Sequence, residues 1–183
     1  MPSNLTDLIK PSADALAEWL EKQRNVFREE SKSFPAALSS AEAETIRKYF
    51  DPTTIDKVRW KTVSEFPTPS FLADLDIAED KRFNVKRIVG LTFDDTILLS
   101  DELTGRNRLS FLFHEFVHAV QFDALGIKLF ALRYVEGWIK NGLKYRAIPL
   151  EQSAYGLQAS FDSGSLFSVE KVIGDNPGGV RET

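Results

Sequence analysis

The chain of 183 residues has no cysteine and only two histidines. The absence of cysteine excludes disulfides, thiolate metal ligands and a cysteine nucleophile. No apolar stretch reaches the roughly 18 residues that a membrane-spanning helix needs, so no membrane span is predicted. The first residues also lack the basic region and apolar run of a signal peptide. We therefore expect a cytoplasmic protein.

The chain has little excess charge of either sign. Acidic residues number 27 and basic residues 23, and the formal net charge is −4. This balance offers no electrostatic reason to expect nucleic acid or an anionic membrane as partner. Length and composition predict one domain over residues 1–173, with an N-terminal helical part at about 12–50. Its catalytic part is predicted at about 58–165 and contains both histidines, and residues 174–183 are predicted to be a flexible tail.

Both histidines belong to one five-residue segment, His114-Glu115-Phe116-Val117-His118. On a helix, the i,i+4 spacing places both imidazoles on one face, so both can bind a single metal ion. Glu115 is rotated by roughly 100° around the helix axis and can instead act on a water at the metal. This is the HExxH pattern of zinc hydrolases. We therefore predict His114 and His118 as zinc ligands and Glu115 as the general base.

The segment is predicted to lie within a buried helix from about Asn107 to Leu125, with Gly126 as its stop signal. The other predicted helices cover residues 12–30, 39–50, 53–56 and 127–144, and one begins at Pro149. Strands are predicted at 58–63, 86–93 and 96–100, with a tight turn at Asp94-Asp95 between the last two.

The third zinc ligand must be a carboxylate if the site is catalytic. Such a site usually has three protein ligands and an open fourth position, and no further histidine or cysteine exists to fill the set. Glu136 and Glu151 are the main candidates, while Asp162 lies later in the chain. Glu136 could instead pair with Lys140 at the surface. Spacing alone does not choose between the two glutamates.

Two segments resemble the minimal bacterial zincin-like metallopeptidase domains of the gluzincin type. They are Phe-His-Glu-Phe-Val-His-Ala-Val-Gln-Phe at 113–122 and Tyr-Arg-Ala-Ile-Pro-Leu-Glu-Gln-Ser-Ala-Tyr at 145–155, and the resemblance covers roughly residues 87–161. It implies an α+β, zincin-like fold, in which a small mixed or antiparallel sheet packs against the buried HExxH helix with further helices on both sides. It also implies Glu151 as the third zinc ligand.

The resemblance further implies a zinc metallopeptidase that hydrolyses peptide or protein substrates with a zinc-activated water. Tyr155 is the first candidate for a donor to the oxyanion, with Tyr134 and Tyr145 as alternatives. Gln121 is a candidate to orient a ligand. We expect the segment Thr96–Ser100 to be the sheet-edge strand that binds the substrate backbone. The first helix is a candidate cover for the cleft.

Two other functions compete with peptide hydrolysis. The chain could be a non-catalytic metal-binding or scaffold module, or it could hydrolyse a non-peptide amide with the same residues. Glu115 argues against a scaffold, because a structural site does not need that residue. Structural zinc sites also usually have four protein ligands that often include cysteine. The sequence leaves the substrate and the oligomeric state open.

Overall fold

The computed structural model describes residues 5–33, 38–69 and 88–177. Its helices are α1 (Ile9–Arg28), α2 (Ser40–Arg47), α3 (Pro52–Lys57), α4 (Gly105–Lys140), α5 (Pro149–Asp162) and α6 (Val169–Asp175). Its strands are β1 (Lys32–Ser33), β2 (Arg59–Val63), β3 (Gly90–Phe93) and β4 (Thr96–Ser100). Short 3₁₀ helices cover Leu5–Leu8 and Tyr145–Ala147.

The strands form one small mixed sheet in the order β1-β2-β4-β3. β2 and β4 are parallel, with Trp60 opposite Ile97, and the other two pairs are antiparallel. The prediction of an α+β chain with a small mixed sheet is therefore confirmed. The strand predicted over 86–93 is described from Gly90, and residues 86–87 lie outside the described parts.

The prediction that Thr96–Ser100 is an edge strand is wrong. This segment is β4, which lies between β2 and β3 in the sheet. Its first four residues are all buried. A short continuous apolar run is typical of a strand covered on both faces, so the composition of β4 agrees with an interior position. In the described part of the sheet, β3 is the edge strand next to β4.

Helix α4 contains the HExxH segment and contacts both β3 and β4. Every residue from 112 to 122 is buried, so the predicted burial of this helix is confirmed. Gly126 breaks the helix with φ of 72° and ψ of 158°, in a region that glycine enters without a steric cost. The helix then resumes and ends at Lys140. The predicted stop at Gly126 therefore separates the two halves of α4.

Helix α1 packs against α4 and β3. It begins at Ile9, earlier than predicted, and two of its arginines bind the buried carboxylate of Asp95 in the β3–β4 turn. The distances are 3.0 Å from Arg24 Nη2 and 2.7 Å from Arg28 Nη1 to Asp95 Oδ2. The ring of Trp19 lies edge-on to that of Phe93, with centroids 5.3 Å apart. These contacts fasten α1 to the end of the sheet that carries β3.

Helices α2, α3 and α6 each contribute buried side chains to the hydrophobic core. α2 begins with a capping box, in which Ser39 N donates to Glu42 Oε2 at 2.9 Å and Glu42 N donates to Ser39 Oγ at 3.3 Å. α6 ends at Asp175, two residues inside the segment predicted to be a tail, and residues 178–183 lie outside the described parts. Within the described residues, no helix combines the length and apolarity needed to cross a membrane.

Candidate metal centre

Helices α4 and α5 bring His114, His118 and Glu151 together in the interior of the protein. The two Nε2 atoms lie 3.2 Å apart. Glu151 Oε2 is 3.4 Å from His114 Nε2, and Glu151 Oε1 is 3.6 Å from His118 Nε2. Ligands at about 2.0–2.1 Å from a tetrahedral zinc ion are themselves ~3.3 Å apart. The three side chains are therefore spaced to hold one metal ion.

A close contact between the two helices puts Glu151 at this centre. Glu151 lies in the first turn of α5, two residues after Pro149. Gly137 in the second half of α4 packs against this turn, and a Cβ at Gly137 would lie 2.6 Å from Pro149 Cδ. The absence of a side chain at Gly137 therefore lets the start of α5 approach α4.

The structure does not bring Glu136 or Asp162 to the centre. The Glu136 side chain is 40 % exposed and forms an ion pair with Lys140, which is the surface pairing considered as its alternative role. Asp162 contacts Ser110 and Arg106. Of the sequence candidates for the third ligand, Glu151 is the one that lies beside both histidines.

A chain of hydrogen bonds holds the ring of His114. Ser110 Oγ donates to Asp162 Oδ2 at 2.9 Å, so this hydroxyl accepts from Gln158 Nε2 at 2.9 Å. The amide of Gln158 is thereby oriented with Oε1 toward His114 Nδ1, at 3.1 Å. Because an amide oxygen only accepts, Nδ1 of His114 carries a proton. In the neutral ring, Nε2 then keeps its lone pair for the centre.

His118 is held in the same way by a second glutamine. Gln121 Nε2 donates to the backbone oxygen of Leu150 at 3.1 Å, which leaves Oε1 to accept from His118 Nδ1 at 2.8 Å. Gln121, the sequence candidate to orient a ligand, therefore contacts His118. Sequence reasoning missed Gln158, whose contact with His114 joins residues far apart in the chain.

The electrostatics of the centre favour a cation. Burial alone would lower the pKa of His118, but the negative charges of Glu151 and Glu115 raise that pKa to about 9. Burial would raise the pKa of Glu151, but the two imidazoles hold it well below its usual range. Tyr134 donates to Glu151 Oε1 at 2.8 Å, whereas the buried Oε2 has no hydrogen-bond partner. A metal ion would satisfy this oxygen.

Glu115 is buried against the edge strand β3. Thr92 Oγ1 donates to Glu115 Oε2 at 2.6 Å, and a Cβ at Gly90 would lie 2.4 Å from Oε1. Burial raises the pKa of Glu115, and the nearby histidines partly oppose this rise. Sequence reasoning missed Thr92 and Gly90, because alternation along a strand does not tell which helix each face contacts. The one available signal was that a buried glutamate needs a hydrogen-bond partner.

The three candidate tyrosines take different positions. Tyr134 binds Glu151, and both Tyr134 and Tyr145 line the cavity beside the centre. The ring of Tyr155 packs against that of His114, with centroids 4.5 Å apart, and Arg146 lies over it. Tyr134 and Tyr155 therefore contact residues of the centre, and Tyr145 lines the cavity beside it.

Glu115, His118 and Glu151 all line a cavity of about 100 Å³. Helix α1 forms one of the walls of this cavity. The second half of α4 forms another wall, and Gly90 and Thr92 of β3 lie along the side that contacts Glu115. A molecule bound in the cavity would therefore contact Glu115, His118 and Glu151.

The chain matches no protein-family model, and no curated protein or solved structure is significantly similar to it. Its function is therefore inferred from the geometry and chemistry of the site.

Proposed function

We propose that the protein is a zinc-dependent metallopeptidase with a zincin-like architecture, in which His114, His118 and Glu151 hold the zinc ion. The observation that carries the proposal is that the two Nε2 atoms lie 3.2 Å apart and that each lies 3.4 or 3.6 Å from one oxygen of the Glu151 carboxylate, close to the ~3.3 Å between ligands of a tetrahedral zinc ion. Two nitrogen ligands and one carboxylate, with a glutamate beside them, are the donor set of a catalytic site. When bound, zinc supplies a Lewis acid that polarises the peptide carbonyl and acidifies water.

Glu115 is the general base and acid in this proposal. Thr92 holds Oε2, and the other carboxylate oxygen takes the proton of the attacking water. Burial raises the pKa of Glu115, which helps the carboxyl group keep this proton until it passes to the leaving amine.

In this proposal the substrate backbone binds along β3. This edge strand takes the role that the sequence analysis predicted for Thr96–Ser100. Within the described sheet, β3 has a strand neighbour on one side, so its other edge can accept a peptide by strand addition. A peptide along this edge would pass Gly90 and Thr92, which contact Glu115.

Tyr155 stays our candidate donor to the oxyanion, and Tyr145 is the alternative that lines the cavity. A phenol hydroxyl close to the reacting carbonyl can stabilise the negative charge that develops on its oxygen.

The direct test of the centre is metal analysis. Purified protein supplemented with zinc should bind near one zinc ion per chain, because the site has a complete set of three ligands. Elemental analysis after gel filtration measures the ratio, and His118→Ala should lose the metal. A wild-type chain that retains no zinc would contradict the proposal.

Gln158→Leu should weaken zinc binding by about 10–100-fold. Leucine removes the acceptor from His114 Nδ1, so the ring is no longer held with Nε2 toward the centre. Competition with a chromogenic chelator measures the affinity. Gln152→Leu is the matched control, since Gln152 is an exposed residue of the same helix. Equal zinc affinity in the two variants would show that Gln158 does not position the ring.

A further inference from the structure

We infer that the cavity beside Glu115 is a specificity pocket for a large apolar side chain of a peptide substrate, and that Trp19 is a determinant of this specificity. The inference rests on the proposed peptidase function and adds the class of substrate. Trp19 lies in α1, outside residues 87–161 that carry the resemblance to zincin-like domains, so this wall of the pocket is not implied by that resemblance.

The cavity extends to the side chains that are proposed to bind zinc and to act as the base. Glu115, His118 and Glu151 line the same cavity as Gly90 and Thr92 of the edge strand. A peptide bound along β3 therefore has its backbone beside Glu115 and can place a neighbouring side chain in the cavity. A ligand that filled the cavity would be next to the bond that is cleaved.

The walls of the pocket favour apolar groups. α1 contributes Leu16, Trp19 and Leu20, and the second half of α4 contributes Phe130, Val135 and Trp138. The cavity of about 100 Å³ has several times the space that one water molecule occupies. Moving an aliphatic or aromatic side chain from solvent into this cavity would stabilise the complex, because its apolar surface would be removed from water. A charged side chain would instead lose its hydration between apolar walls.

Trp19 is held in place by its neighbours, and part of its side chain stays accessible to a ligand. Its ring packs edge-on against Phe93, and the ion pairs of Arg24 and Arg28 with Asp95 fasten the same helix to the β3–β4 turn. The side chain of Trp19 is nevertheless only partly buried. Both Trp19 and Trp138 line the cavity.

The first test follows the tryptophan indole N–H signals of the zinc-loaded wild-type protein by NMR. The chain has three tryptophans, and Trp60 is a buried residue of a different apolar cluster. Titration with N-acetyl-phenylalaninamide should shift the signals of Trp19 and Trp138 and leave that of Trp60 in place. N-acetyl-aspartic acid amide should shift none of them. Signals that do not respond to the phenylalanine amide, or that respond equally to both amides, would overturn the inference.

The second test measures cleavage of a quenched fluorescent peptide library by zinc-loaded protein. Peptides with Phe or Leu at one position next to the cleaved bond should react roughly tenfold or more faster than those with Ala or Asp there. Trp19→Ala should reduce the preference for Phe over Ala by a similar factor. Val26→Ala is the control, because Val26 is 50 % exposed on the same helix and does not line the cavity.

The outcomes separate the inference from the proposed function. Cleavage without an apolar preference, or with one that Trp19→Ala leaves intact, overturns the pocket and keeps the peptidase. Selective shifts of Trp19 and Trp138 with no cleavage of any peptide keep the pocket and overturn the peptidase. If neither shifts nor cleavage occur, both are wrong.

Discussion

Glu115→Gln is expected to lower the rate of peptide hydrolysis by about 10²–10⁴-fold, the range that a positioned general base contributes. Glutamine has nearly the same shape and still accepts the hydrogen bond from Thr92, but it cannot take a proton from water. The three proposed zinc ligands are unchanged, so the metal content should stay near one ion per chain. Measurements of kcat/KM and of zinc content on the same preparation check both parts.

Glu44→Gln is the matched control for this variant, because Glu44 is an exposed residue of α2. It should retain full activity and full zinc content. The experiment also separates the peptidase from a scaffold module. A scaffold would keep its partner binding in Glu115→Gln and would show no hydrolysis in the wild type. Unchanged turnover in Glu115→Gln would rule out Glu115 as the base.

Glu151→Ala is expected to weaken zinc binding by at least about 100-fold. Loss of a residue that only supports a metal ligand weakens metal binding by about 10–100-fold, and loss of a ligand itself should cost at least as much. The variant leaves two histidines and no carboxylate among the proposed ligands. Glu136→Ala is the paired variant and should bind zinc as the wild type does, because Glu136 is partly exposed and pairs with Lys140. Chelator competition on both variants measures the difference. Loss of zinc in Glu136→Ala alone would contradict the assignment of Glu151.

The same pair of variants has a second readout in the absence of metal. Glu151 is the main group that raises the pKa of His118 to about 9. Without this carboxylate, burial dominates, so the pKa of His118 should fall toward or below the ordinary value of about 6.5. The chain has two histidines, so NMR titration can follow both rings separately. An unchanged pKa in Glu151→Ala would show that the carboxylate does not act on His118.

The helix that carries the histidines was predictable because its signals are local. The i,i+4 spacing, the apolar surroundings and the stop at Gly126 all act within a few turns of one helix, and the structure agrees with each of them. The capping box at Ser39 and the turn at Asp94-Asp95 were predictable for the same reason. Each is a contact between residues a few positions apart.

Strand order was not predictable in this way. Thr96–Ser100 was expected at the edge by resemblance to zincin-like folds, but β2 pairs with it in parallel from an earlier part of the chain. An edge is defined by which strands fail to pair, and that is a property of the whole sheet. The apolar run of β4 was the one local feature that agreed with its interior position.

The sequence by itself determined the chemistry that a metal site in this chain could have. The absence of cysteine and of further histidines restricts the possible ligands to two histidines and a carboxylate, and the glutamate after the first histidine is the candidate base. These restrictions are visible in the sequence because they depend only on composition and on the geometry of one helix. Tertiary structure decided what surrounds that chemistry. Contact between α4 and α5 placed Glu151 beside the histidines and left Glu136 at the surface, β3 supplied Thr92, and α1 supplied a wall of the cavity. Each of these is a contact between separate elements, which the local pattern of residues along one element does not specify.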